Sequence, residues 1–324
     1  MTMRWIPLGV ALVTCWAILG AVDVATWAWS GYTANHRNIV LEVAPGGPAD
    51  AAGVLPGDHV LAIDGRDTRR PGDLQDLGAA SVGETRTLQV KRSGEEFQLS
   101  LAYGEMPRVE KLRAWLRIAT GMAVMTISFL AWRRQNSVMT RWLALGGIGF
   151  ALALLPGSWF DSGALRFAAS LLRSALVLAA AVAALQFISL LPPAGNAKRP
   201  LARTWVWLPA GLLWLMLGLR ALLPGNGWIN TASLVVVGLV LSAYLLAATI
   251  RFLRNYIRSS ATERNRYGLR WMFWCSSLGL LPGLVGGFTL LGQWPPAHYF
   301  FITAVLIPVG WANAALKAGQ SGGA

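Results

Sequence analysis

Cysteine occurs only twice in the 324 residues. Cys15 and Cys275 each lie inside a long apolar run, so neither a disulfide framework nor a four-cysteine zinc site can be built. Histidine occurs three times, at His36, His59 and His298. None stands in an H-E-x-x-H pattern, which removes the zinc chemistry of membrane-embedded metalloproteases. A nucleophile elbow, a Walker A loop and a G-x-G-x-x-G fingerprint are also missing, so acyl transfer and nucleotide chemistry find no support. Charge is scarce: Asp, Glu, Lys and Arg make up 13% of the chain, about half the share usual in soluble domains. With 55% hydrophobic residues and a mean hydropathy of +0.48, a soluble enzyme is nearly excluded. Carboxylates are the rarer charge, 15 against 28 Lys and Arg, for a net charge of +13.

What is present is a series of apolar runs. Ile6–Trp27 is either a cleaved signal peptide or a retained anchor, and its length and its terminal Trp27 and Trp29 favour the anchor. Seven further runs, each about the ~20 residues that cross a bilayer, lie near Trp115–Trp132, Trp142–Phe160, Phe167–Leu191, Thr204–Leu223, Ile229–Phe252, Trp271–Leu291 and His298–Leu316. The loops between them alternate in charge. Arg133, Arg134 and Arg141 share one, Lys198, Arg199 and Arg203 another, and six arginines from Arg251 to Arg270 a third. The intervening loops hold one Arg among them. By the positive-inside rule both termini are cytoplasmic and the segment between the first two spans is periplasmic or extracellular. Many of the 16 Trp sit at span ends, as an interfacial belt requires. The basic excess thus reads as topology, with the lipid bilayer as partner and no nucleic acid.

Between Gly31 and about Arg117 the composition turns soluble. Short β-type runs alternate with Gly/Pro turns. Gly47-Pro48-Ala49 followed by Ala52-Gly53, then Leu55-Pro56-Gly57-Asp58, Ala62-Ile63-Asp64-Gly65 and Val90-Lys91-Arg92-Ser93-Gly94 resemble a bacterial PDZ domain. Gly53, Gly57 and Gly65 suit tight turns with positive φ, and Asp58 is a turn-stabilising neighbour; none is catalytic. PDZ domains bind an extended segment, often a free C-terminus, by adding it as a strand. The resemblance places the groove between Gly31-Tyr32-Thr33-Ala34 and a helix bearing Leu74, Leu77 and Ala80. A PDZ domain used only as a folded spacer or an intramolecular dock is the alternative.

The order of span, exported PDZ, multi-span bundle and Arg-rich loop (Glu263–Trp271) resembles the sensor half of ComP-type bacterial histidine kinases. The chain ends at Ala324, so it is expected to be either a sensor that signals through a separate kinase or other membrane partner, or a fragment. Within spans, Asp23, Arg173 and Arg220 are costly residues. They either snorkel to water or pair across an outward-facing pocket. Gly279, Gly283 and Gly287 form a small-residue stripe suited to helix packing. Arg258, Arg264 and Arg266 are the expected cytoplasmic output surface. The expectation is a mainly α bacterial inner-membrane protein: anchor 1–29, exported α+β PDZ domain 30–104, seven-helix bundle 105–318 completing eight transmembrane helices, and tail 319–324. It is expected to carry no catalytic residue, metal or cofactor and to act as a sensor or binding protein; the rival is an accessory factor for an exported protease or envelope assembly.

Overall fold

A computed structural model describes residues 5–35, 38–68, 80–156, 163–191, 203–222, 227–288 and 295–321. The first helix, α1 (Trp5–Thr26), leads directly into a small β-rich domain. Its strands are β1 (Ala28–Trp29), β2 (Tyr32–Ala34), β3 (Val40–Val43), β4 (His59–Ile63), β5 (Arg66–Asp67), β6 (Thr85–Arg92), β7 (Glu95–Ala102) and β8 (Gly104–Glu105), with a one-turn helix α2 (Pro48–Ala51) after β3. The sheets are β1-β8, β2-β3 and β5-β4-β6-β7, all antiparallel. Two-residue turns set the registers. Asp64-Gly65 joins β4 to β5 and Ser93-Gly94 joins β6 to β7, and all four residues have positive φ, the twist that tight hairpins require. Along β6 the side chains alternate: Arg86, Leu88 and Val90 are buried and their neighbours exposed. Val40, Ala49, Val54, Val60, Leu88, Val90 and Leu101 close a core between the layers.

The rest is mostly helical: α3 (Arg108–Arg134), α4 (Val138–Leu154), α5 (Gly163–Ser189), α6 (Arg203–Leu222), α7 (Gly227–Arg258), the short α8 (Ala261–Arg266), α9 (Leu269–Phe288), a 3-10 segment (Pro295–Val305) and α10 (Leu306–Ser321). The described part of each apolar run is thus mostly helical. Among the described residues, five helical stretches are long and apolar enough to cross a membrane: Trp5–Thr26, Arg108–Arg134, Phe167–Ser189, Val235–Arg258 and Phe301–Ala318. Val138–Leu154 and Val206–Leu219 are apolar but shorter. The last run, expected as one helix, divides at Leu306. Pro308 has no N–H to give the carbonyl of Ala304, so the α-ladder restarts there, and Pro308 falls in the first turn of α10 where that loss costs nothing.

Two clusters hold the helices. Ile6, Val13, Trp16 and Val24 of α1 pack with Ile118 and Met125 of α3 and with Ala144, Ile148 and Leu152 of α4. A larger cluster joins α5, α7, α9 and α10 around Phe187, Phe252, Met272 and Ala315, with Phe187 and Trp311 stacked at 4.8 Å. Gly279 belongs to the packing: a Cβ there would lie 2.7 Å from Ile307, and Thr303 donates to its carbonyl at 3.2 Å. Gly283 and Gly287 continue the same helix, but their surroundings lie outside what the structure describes. Large apolar side chains face outward, among them Leu8, Leu239, Leu246 and Ile257, an arrangement costly in water and neutral in lipid.

Helix ends in this region are met by donors from elsewhere. Asn255 of α7 donates to the carbonyl of Ile188 in the last turn of α5 and to that of Leu191 just past it. Trp16 donates from Nε1 to Pro156 O at 3.1 Å. Tyr244 of α7 donates to Val206 O at 2.5 Å, tying α7 to α6. Carbonyls that have no intrahelical partner need such donors, most of all where water is absent.

Candidate functional site: the open strand edge

Ala28–Trp29 and Gly104–Glu105 pair antiparallel, so the chain enters and leaves the domain through one two-stranded neck. Ala28, Trp29 and Glu105 of this neck lie just outside the 30–104 limits expected from sequence, and Gly104 is the last residue inside them. Pro48 holds it: Cβ atoms built at Gly31 and Gly104 would each lie 2.9 Å from its ring. Gly31 also has φ +80°, so that position admits no side chain on either count. Lys111 reaches Glu105 at 3.8 Å, joining the neck to α3. The Gly-Pro-Ala element is therefore the clasp between the domain and its two flanking helices.

From the neck the chain runs into β2. Ala44 N–H donates to Gly31 O at 2.8 Å, and the register pairs Tyr32 with Val43 and Thr33 with Glu42. In an antiparallel ladder the hydrogen-bonded pairs alternate. Gly31/Ala44 is one such pair, so Tyr32/Val43 is a wide one, and the amide and carbonyl of Tyr32 point away from β3. Thr33 and Ala34 are exposed, and among the described residues β2 pairs only with β3. This is an edge to which another strand can add. The Tyr32 side chain turns inward beside Val43 and Tyr103. Burial, with Tyr103 adding to it, pushes its phenol up to about 12.

Of the expected opposite wall, Leu74 and Leu77 lie outside the described residues. Ala80 is half-buried and lies outside any helix. The turn residues are where the sequence placed them: Gly53, Gly57 and Gly65 have φ of +78°, +94° and +76°. Asp58 does more than stabilise a turn. Its carboxylate is 1% exposed, accepts the Leu55 N–H at 2.9 Å and takes two bonds of 2.7 Å from Arg92. Arg92 also donates to Gly53 O at 2.8 Å. The hydrogen bonds from Arg92 hold the Asp58 carboxyl below its usual range. One ion pair thus ties the Gly53–Asp58 loop to the β6–β7 hairpin, 34 residues on. Arg92 was read in the sequence only as a hairpin residue. Its partner follows from the β4-β6 register, which sets Lys91 opposite His59.

The polar residues expected within spans take different positions along their helices. Arg173 donates to Leu155 O at 2.6 Å and to Ala153 O at 3.4 Å, closing the end of α4. Asp23 is half-buried, one turn from the end of α1. Arg220 falls in the last turn of α6, its side chain outside the described residues. Of the expected output trio, Arg258 and Arg266 are exposed, but Arg264 turns back to donate to Tyr256 O and Ser259 O at 3.0 Å each and lies over the Tyr256 ring at 4.5 Å. Contrary to the motif reading from sequence, the tail does spell G-x-S-x-G once, Gly319-Gln320-Ser321-Gly322-Gly323, but Ser321 ends helix α10 and does not follow a strand as a nucleophile elbow would.

Residues 39–92 match the family model of the PDZ domain. The chain is similar to a protein of Synechocystis named as the serine protease HhoB, 30% identical over 79 residues, 24% of this chain and 19% of that protein. It is similar to one of Hahella chejuensis named as a DegP-like periplasmic serine endoprotease, 33% identical over 70 residues, 21% and 15%. A protein of Mesorhizobium japonicum named as a zinc metalloprotease is 31% identical over 81 residues, 25% and 22%. The chain therefore spans less than a quarter of the length of each relative, and the likeness is confined to the PDZ region. Residues 39–92 of this chain are a PDZ domain, homologous to those of bacterial PDZ-containing proteases.

Proposed function

We propose that this chain is a non-catalytic bacterial inner-membrane protein whose exported PDZ domain captures a peptide or protein C-terminus on the Tyr32 edge. The observation that carries the reading is the outward-facing amide and carbonyl of Tyr32, four residues from a neck that pairs directly above α1 and α3. A bound strand would meet these backbone groups, and its carboxylate the Tyr32 amide, since charge-assisted bonds to backbone N–H are among the strong ones. The eight apolar runs and the alternation of Arg-rich loops support eight crossings with both termini in the cytoplasm. Because both ends of the domain lie in one neck, strain on it is delivered to α1 and α3 together, which suits a sensor that relays to a separate membrane partner. The protease names of the relatives favour a second reading, an accessory that delivers C-termini to an exported protease.

The fragment Ala28–Glu105, which keeps the neck, tests the site. Peptides with a free C-terminus should bind it roughly ten-fold more tightly than their amidated forms, the loss expected from one charge-assisted hydrogen bond. Equal affinity of acid and amide would leave the domain as a spacer. Partner identification by crosslinking in native membranes then separates sensor from accessory: a kinase supports the first and a protease the second.

A further inference from the structure

The turn from α8 into α9 builds a second site, remote from the PDZ domain. Ser260 caps α8 and Glu263 closes the capping box, donating sites at Glu263 N and Ser260 N being filled at 3.2 and 2.8 Å. Gly268, with φ +67°, then reverses the chain; a Cβ there would lie 2.7 Å from Asn313 of α10, so only glycine lets the two segments approach. The result is an open cleft of about 600 Å³ lined by Arg264, Asn265, Gly268, Arg270, Trp271, Trp274 and Lys317. Lys317 reaches in from α10, its Nζ 3.4 Å from Asn265 O. Arg270 is exposed at the first turn of α9, whose N-terminal dipole adds to the positive field. From residue 251 to 321 the chain carries Glu263 as its sole carboxylate, and that group is turned to the Ser260 amide.

A second observation points to the ligand. Trp271, Trp274 and Leu278 follow at helical spacing along α9 and are 65%, 53% and 54% exposed. They form an apolar stripe that starts at the cations and runs up the helix, and exposed indoles beside cations are the side chains that favour a membrane interface. Anion-binding cations at the foot of a lipid-facing stripe match an amphiphile with an anionic head.

We propose that this cleft binds an anionic phospholipid, its phosphate between Arg270 and Lys317 and an acyl chain along Trp271, Trp274 and Leu278. The site does not depend on the PDZ reading. The full-length chain, purified in a neutral detergent, is presented with phosphatidylglycerol and phosphatidylcholine of identical acyl chains, and retained lipid is counted by native mass spectrometry. Phosphatidylglycerol should be retained preferentially. Arg270→Gln should weaken its retention roughly five-fold and the double variant Arg270→Gln/Lys317→Gln about thirty-fold, from the usual attraction per cation. Arg270→Lys should restore most of it, and Arg133→Gln/Arg134→Gln, in another loop, should leave it unchanged. Inorganic phosphate at millimolar concentration should not displace the lipid. Equal retention of both lipids, undiminished retention by the double variant, equal loss in the control variant, or displacement by phosphate alone would each overturn the proposal.

Discussion

Arg92 in the PDZ domain and Arg173 in the helical region are both half-buried cations, and they are satisfied in opposite ways. Arg92 grips a carboxylate, Asp58, through two short hydrogen bonds. Arg173 meets the carbonyls of Leu155 and Ala153. The same contrast holds for Arg86, 2.7 Å from Glu84, against Arg264 on Tyr256 O and Ser259 O. Composition explains it. After Glu110 the sequence contains only Asp161 and Glu263 as carboxylates, so donors among the helices must find backbone, and unmatched carbonyls are concentrated at helix ends. The domain locks loops with ion pairs, while the helical region closes helix ends with long polar side chains.

The comparison can be broken at specific places. The largest effect is expected at Gly149, where α4 lies against the carbonyl of Leu176 and a Cβ would sit 2.7 Å from that of Ala180. Gly149→Val should force α4 from α5 and cost about 3 kcal/mol. Gly238→Ala, in the interior of α7 with open space around it, should instead stabilise slightly, by about 0.5–1 kcal/mol. Unfolding of the full chain in mixed micelles reads both. Next, Asp58→Ala should destabilise the Ala28–Glu105 fragment by roughly 2 kcal/mol, less than a fully buried pair because Arg92 keeps contact with water. Urea unfolding measures it, and insertion of the helices should be unaffected.

The ion pair also sets the pH response of the domain. The folded Asp58 carboxyl titrates below its unfolded value, so its stabilisation is complete above that unfolded value and fades as pH falls through the folded one. Tyr32 acts at the other end. Its phenol is raised from 10.0 to about 12, so stability is retained below pH 10 and lost as pH rises toward 12. A fragment whose unfolding midpoint is flat across both windows would contradict these two assignments. A smaller effect, about 1 kcal/mol, is expected for Arg173→Gln, since an amide can keep one of the two carbonyl contacts. Arg258→Gln/Arg266→Gln should leave the fold unchanged, because both side chains are exposed, while lowering copurification of a cytoplasmic partner. Unchanged copurification would remove them as an output surface.

The two regions also differ in how much the sequence disclosed. Gly53, Gly57 and Gly65 were legible because a positive φ is a local demand that glycine answers locally. The apolar runs were legible as helices for the same reason, since hydropathy is a property of a segment. Contacts between distant segments were not. Arg92 had no sequence mark that made it the partner of Asp58. Arg264 looked like a surface charge because nothing local says that the end of α7 lies beside it. Gly149 sits in a Gly-Gly-Ile-Gly cluster whose spacing was a usable signal, yet which helix it admits depends on tertiary placement. The neck was hidden because strands of two residues, Ala28–Trp29 and Gly104–Glu105, carry no periodicity.

Among the described residues β7 is also an edge, as the last strand of the four-stranded sheet, and there Glu95 and Glu96 are exposed charges that discourage strand addition. Amide hydrogen exchange on the full chain in nanodiscs, with and without a saturating free-C-terminus peptide, decides between the edges and tests the central claim. Exchange should slow at Tyr32–Ala34 on binding and stay unchanged along Glu95–Ala102. Protection of Glu95–Ala102 without Tyr32–Ala34, or of neither, would contradict capture on the Tyr32 edge.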